Sequence, residues 1–105
     1  MAGAIVETAV LAELVLDQLG QGREPRIHFW RTSTGSEVDF LVETDTRWIP
    51  VRVKASSTPR PAMAAGIHAL RRDLGSRVGP GYVVHTGEGV LPLGGEVVAV
   101  PFGSL

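Results

Sequence analysis

The chain has 105 residues with a formal net charge of -1 and no cysteine. This length predicts one compact domain over residues 1–105, with a core that needs no covalent cross-link. The lack of cysteine excludes a disulfide framework and thiolate metal sites, and is compatible with a cytoplasmic location. The near-neutral charge gives no global attraction to nucleic acid or an anionic membrane, so phosphate binding must come from a local arrangement or a metal.

Apolar residues recur at helical spacing near the N-terminus and predict a first helix over residues 3–19, which the glycines at 20 and 22 terminate. This segment contains Glu7 and Glu13 and is too short to span a bilayer, so we expect a core helix and no membrane association. A loop follows, and residues 26–31 have the aromatic and β-branched content of a strand.

Two segments with alternating polarity follow the turn at Gly35. In residues 36–43 the alternation places Val38, Phe40 and Val42 on one face of a strand, and Glu37, Asp39, Leu41 and Glu43 on the other. In the next strand Ile49, Val51 and Val53 alternate with Trp48, Pro50, Arg52 and Lys54. Pro50 there indicates an edge strand or a bulge.

The second half predicts one helix and two strands. A cap region at residues 56–59 precedes a helix that ends at Gly75, with Met63, Ile67, Leu70 and Leu74 on one face. Residues 82–85 and 96–100 have strand composition, and residues 87–95 form a glycine-rich turn region. The predicted order is αβββαββ, an α/β fold with a mixed sheet flanked by helices.

The two alternating strands carry charged residues that could form a catalytic site. Paired antiparallel, they would bring Asp39 to the same side of the sheet as Arg52 and Lys54, if the register allows it. In metal-dependent nucleases carboxylates bind Mg²⁺, the metal activates water, and a lysine stabilises charge on the phosphoryl group. The simpler alternative is a cross-strand ion pair between Asp39 and Lys54, of about 0.2 to 1 kcal/mol.

Short motifs in collinear order resemble a known family. The residues that carry the resemblance are Gly3-Ala4-Ile5-Val6-Glu7, Glu13-Leu14, Trp30-Arg31, Gly35, Glu37-Val38-Asp39-Phe40, Val53-Lys54-Ala55-Ser56 and Val100-Pro101-Phe102 through Leu105. They look like the C-terminal domain of unknown function that follows many prokaryotic AAA-type ATPase domains. That domain is similar to the restriction-endonuclease-like, PD-(D/E)xK nucleases.

The resemblance implies a catalytic set of Glu7, Asp39 and Lys54, with Glu7 and Asp39 as ligands of Mg²⁺ or Mn²⁺. The chain departs from the family at position 52, where the pattern has glutamate before Val-Lys and this sequence has arginine. Arg52 is expected to pair with Asp39 or Glu37 in the place of the metal. No GxxxxGK[ST] loop is present in the sequence, so ATP hydrolysis is not expected of this chain alone.

Two hypotheses of function follow. The first is a nuclease-like DNA-processing domain with weakened or lost activity, in which Arg52, Arg71 and Arg72 contact the nucleic acid; for Arg71 and Arg72 an ordinary solvated helix face is the alternative. The second is a non-catalytic interaction module that docks on an AAA-type ATPase, encoded separately or in cis, or forms a homodimer. A buried pair of Arg52 with Asp39 favours the second hypothesis, and an outward arginine favours the first.

Overall fold

The computed structural model describes residues 2–105 as an α/β fold with a mixed six-stranded sheet and two α-helices. The strand order across the sheet is β1-β2-β3-β4-β6-β5. A 3₁₀ turn over Pro61–Ala64 leads into the second helix. The elements are α1 (Ala2–Gly20), β1 (Ile27–Arg31), β2 (Glu37–Glu43), β3 (Trp48–Lys54), α2 (Ala65–Leu74), β4 (Gly81–His85), β5 (Leu91–Gly94) and β6 (Val97–Pro101).

The sheet separates two apolar cores. Strand residues that alternate in sequence divide between them, so that Val83 packs with α2 and the next residue, Val84, packs with α1. On the α2 side Ile67 and Leu70 are fully buried, and Val10 of α1 is fully buried on the opposite side. Trp30 packs against the α2-side core, as its place in a strand predicts.

The pairing of strands is antiparallel from β1 to β3 and parallel from β3 through β4 to β6, with β5 added antiparallel at the far edge. The prediction that Pro50 marks an edge strand or a bulge is wrong as to the edge, because β3 lies between β2 and β4. The register does shift there, since Trp48 pairs with Val78 and Val51 pairs with Tyr82, so three steps along β3 match four along the facing segment. Pro50 is fully buried, opposite Leu41 of β2.

The predicted alternation of β2 is also wrong in part. Val38 and Leu41 both pack on the α2 side, whereas Phe40 and Val42 pack on the α1 side. The cause is an extra residue in β2, because His28 of β1 faces Leu41 and Trp30 faces Val38, so two steps along β1 match three along β2. Such a bulge reverses the faces beyond it and re-aims side chains.

Two further predictions need correction. The glycine-rich region contains β5, so the order is αβββαβββ; this four-residue edge strand, with Pro92 and Gly94, has the composition of a turn. The predicted Ser-Thr cap does not start the helix, since α2 begins at Ala65 without a side-chain cap. Instead, the Ser56 hydroxyl accepts the Thr58 N–H within its own turn.

α2 ends where predicted, because Gly75 adopts a φ of 66°, a conformation that glycine tolerates. Within residues 2–105, none of the helices combines the length and the apolar character that crossing a membrane requires.

Candidate functional site

Charged side chains from three elements meet where the β2–β3 ladder ends. The ladder runs from the Glu43–Trp48 pair to the Phe40–Val51 pair. Beyond it, side chains take over the backbone hydrogen bonds: Asp39 Oδ2 accepts the Val53 N–H at 2.7 Å, and Arg52 Nη1 donates to the Glu37 carbonyl oxygen at 3.1 Å. The bulge in β2 therefore places its acidic residues against β3 at a point where the two backbones are bridged by side chains.

Arg52 is the central cation of this site. Its side chain is 9% exposed, and Nη1 lies 3.3 Å from Glu37 Oε1 and 3.5 Å from Asp39 Oδ2. The ion pair expected for Arg52 is therefore present, with both carboxylates. Reaching a nucleic-acid phosphate would require the guanidinium to leave this pair.

The charges around Glu37 favour its ionised form. Its hydrogen bond with Arg52 lowers the pKa of Glu37 below the ordinary value of 4.5, and the charges of Arg52, Arg31 and Lys54 act in the same direction. Arg31 Nη2 lies 3.3 Å from Glu37 Oε2 on the exposed side. A carboxylate with a lowered pKa contributes stability above pH 4.5, and this contribution is lost as the pH falls through the lowered pKa.

Glu7 of α1 is a further acidic residue of this site and interacts with Asp39. The side-chain hydrogen bond with Asp39 raises the pKa of Glu7 above 4.5, and partial burial and the negative charges of Asp39 and Glu37 add to this effect, whereas Arg52 opposes it. Lys54 lines the same cleft as Glu37 and Arg52, so the predicted set of Glu7, Asp39 and Lys54 lies in one region.

The raised pKa of Glu7 has a consequence for stability. Because the folded protein holds this proton more tightly than the unfolded chain, stability falls as the pH rises from 4.5 through the raised pKa. We expect Glu7→Gln to be more stable than the wild type at pH 7 and equal to it at pH 3. Thermal unfolding at both pH values tests this, with Glu13→Gln on the exposed side of α1 as the control. An equal effect of Glu7→Gln at the two pH values would contradict it.

A cleft of about 290 Å³ lies over Arg52 and Lys54. Its walls are the turn at residues 34–36 and the start of α2, where Gly66 packs directly on the backbone of Glu37. A Cβ at position 66 would overlap the Glu37 carbonyl oxygen and lie 3.0 Å from the carbonyl carbon. Sequence reasoning gave no role at the site to Gly66 or Arg31, because neither a glycine inside a helix nor an exposed strand arginine shows from local sequence which residues it contacts.

The residues present do not fit a divalent metal ion. Mg²⁺ requires several oxygen ligands, and Glu7 and Asp39 are two carboxylates with a guanidinium nitrogen 3.5 Å from Asp39 Oδ2. Among residues 2–105 no group of three or more acidic, histidine or cysteine side chains is placed to hold a metal.

The other predicted nucleic-acid contacts lie on α2. Arg71 donates to the backbone carbonyls of Gly79 at 2.9 Å and Glu96 at 3.1 Å, and also to that of Gly95. These bonds fasten α2 to the β5–β6 turn and leave Arg71 few donors for a phosphate. Arg72 is exposed on the same helix.

Comparison with known proteins gives one match. The model of a family described as a domain of unknown function (DUF4143) matches residues 2–105. Curated proteins and solved structures yielded no match. Since the match covers nearly the whole sequence, the chain belongs to the DUF4143 family.

Proposed function

We propose that this chain is a non-catalytic interaction module with a restriction-endonuclease-like fold, in which Arg52 replaces the metal of a nuclease site. The observation that carries the proposal is the pairing of Arg52 with both Glu37 and Asp39, with the guanidinium side chain 9% exposed. A cation fixed by two carboxylates stabilises the charges that a divalent ion would otherwise neutralise. The partner would be an AAA-type ATPase, in cis or separately encoded, or a second copy of the chain.

The arrangement of the polar residues supports the relation to nucleases. Asp39 and Lys54 lie on adjacent antiparallel strands, and the first helix contributes Glu7 beside Asp39. These are the positions that the PD-(D/E)xK resemblance assigns to two acids and a lysine. Position 52 is the one at which the charge is reversed.

The second candidate is a Mg²⁺- or Mn²⁺-dependent nuclease acting on DNA. The excess of negative charge around Glu7 favours it, because Asp39 and Glu37 raise the pKa of Glu7 and a bound cation would relieve that repulsion. In that case Arg52 would have to move aside when the metal binds. The two candidates therefore differ in whether the wild type binds a divalent ion.

Metal binding by the wild type, Arg52→Glu and Asp39→Ala decides between them. Arg52→Glu supplies a third carboxylate, so we expect Mn²⁺ to stabilise this variant and to leave the wild-type unfolding temperature unchanged. At ten times the dissociation constant the gain is about 1.4 kcal/mol, or roughly 6 °C for a domain of this size. The measurement is thermal unfolding in EDTA and in Mn²⁺ titrated to 10 mM.

Arg31→Glu is the matched control, because Arg31 also pairs with Glu37 but lies outside the cleft. Cleavage of single-stranded, duplex and branched DNA is assayed with the same proteins. Mn²⁺ binding by the wild type, together with DNA cleavage that Asp39→Ala abolishes, would reject the non-catalytic proposal in favour of the nuclease.

A further inference from the structure

α1 has two apolar faces. At 100° per residue, Val6, Val10 and Leu14 lie on the face that packs against the sheet. A second row runs along nearly the opposite side with the 4-3-4-3 spacing of helices that pack along a shared seam. This outer stripe consists of Ile5, Ala9, Ala12, Leu16 and Leu19.

The outer stripe is open to solvent. Ile5 is 70%, Leu16 60% and Leu19 54% exposed, and Ala12 is exposed between them. Polar residues are the normal covering of a solvated helix face, and a helix that is apolar on opposite sides is typically buried on both. The stripe spans about 21 Å from position 5 to position 19 at 1.5 Å per residue, which is long enough for a helix–helix contact.

The sizes of the residues along the stripe match a second copy in antiparallel orientation. When Ala9 faces the partner's Ala12, Ile5 faces the partner's Leu16, and the two-fold axis repeats both contacts. The small residues then meet at the centre, where they permit axes about 8 Å apart. The large residues, Ile5 and Leu16, meet on either side of this centre and fill the space between the two helices there.

The charged residues of α1 lie outside the outer stripe. The helix carries Glu7, Glu13 and Asp17 and no lysine or arginine. At 100° per residue Glu13 lies about 80° and Asp17 about 120° from the centre of the outer stripe, so the seam between the two copies contains no charged residue. We propose that the outer stripe of α1 joins two copies of this chain as an antiparallel pair. This specifies the partner in the interaction-module proposal, on which it rests.

Sedimentation equilibrium from 5 to 200 μM tests the proposal. We expect the wild type to approach twice the chain mass of 11.2 kDa, and Leu16→Glu to weaken the dimer at least tenfold. Leu11→Glu is the matched control, because Leu11 is 37% exposed on the same helix but outside the outer stripe. A monomeric wild type over this range, or equal effects of the two variants, would overturn the proposal. Circular dichroism checks that both variants fold.

The antiparallel register has its own test, since the chain contains no cysteine. Ala9→Cys and Ala12→Cys proteins are oxidised separately and as a mixture. The antiparallel pair predicts that the mixed disulfide forms several-fold faster than either symmetric one, whereas faster symmetric disulfides would refute the register. Neither test involves metal, so a failed dimer leaves the Mn²⁺ comparison intact, and metal binding by the wild type leaves the mass measurement intact.

Discussion

Arg52→Met is expected to destabilise the protein by about 3 kcal/mol at pH 7, the lower end of the range for removing one partner of a buried ion pair. Methionine keeps the apolar stem, so the loss comes from the charge and its hydrogen bonds. Asp39 is left with a side chain only 13% exposed and no guanidinium beside it. Glu37, with a 41% exposed side chain, recovers part of its solvation, which keeps the effect at the lower end. Urea unfolding with intrinsic fluorescence measures the difference.

The control for this prediction is Arg31→Met, which removes the other cation that contacts Glu37. Its side chain is 70% exposed, so its pair with Glu37 is worth about 0.5 kcal/mol. Arg52→Lys keeps the charge but loses the planar fork, and we expect an intermediate loss. Similar losses for Arg52→Met and Arg31→Met would mean that Arg52 does not hold the site together.

The helices and the long strands were predictable because their apolar periodicity is strong. Helix α1 covers the predicted residues 3–19, but only the apolar residues that face the sheet are buried, while Ile5, Leu16 and Leu19 are exposed. Strand β3 lies where its alternation predicts and is buried on both faces. The bulge itself depends on how β1 and β2 pair over a distance, and no local pattern encodes it. Pro50 lies in a central strand and not at an edge, but at a point where the register with the β4 side shifts, and such an irregularity is another place where a sheet accommodates proline.

At the site, the sequence predicted which residues take part better than it predicted how they are arranged. Periodicity and family resemblance identified Asp39, Arg52 and Lys54, and the charge reversal at position 52 predicted the ion pair. The simple face assignment did not predict that Asp39 would accept the Val53 N–H, because that bond requires the ladder to end at Phe40. Nor does the sequence reveal that Glu37 holds Arg52 through both its backbone and its side chain.

Gly66→Ala is the second substitution for which we expect a large effect, a loss of about 3 kcal/mol, at the upper end of overpacking costs. The added methyl group would overlap the Glu37 carbonyl oxygen, which also accepts from Arg52. That oxygen belongs to a strand held by its neighbours, so α2 must move away from β2. The greater helix propensity of alanine, worth about 1 kcal/mol, offsets only part of the cost.

Gly20→Ala is the matched control, because a Cβ there meets nothing within 4 Å and the residue also lies in a helix. It should change stability by less than about 0.5 kcal/mol, as is usual for surface sites. Trp30 and Trp48 border the α2-side core, so displacement of α2 should shift their fluorescence to longer wavelength in Gly66→Ala alone. Since Gly66 also lines the cleft over Arg52, a shifted spectrum would show that α2, one wall of that cleft, has moved. Unchanged fluorescence and stability would mean that the β2 backbone at Glu37 shifts to make room for the methyl group. The close contact between Gly66 and Glu37 would then not be what positions the charged residues of the site.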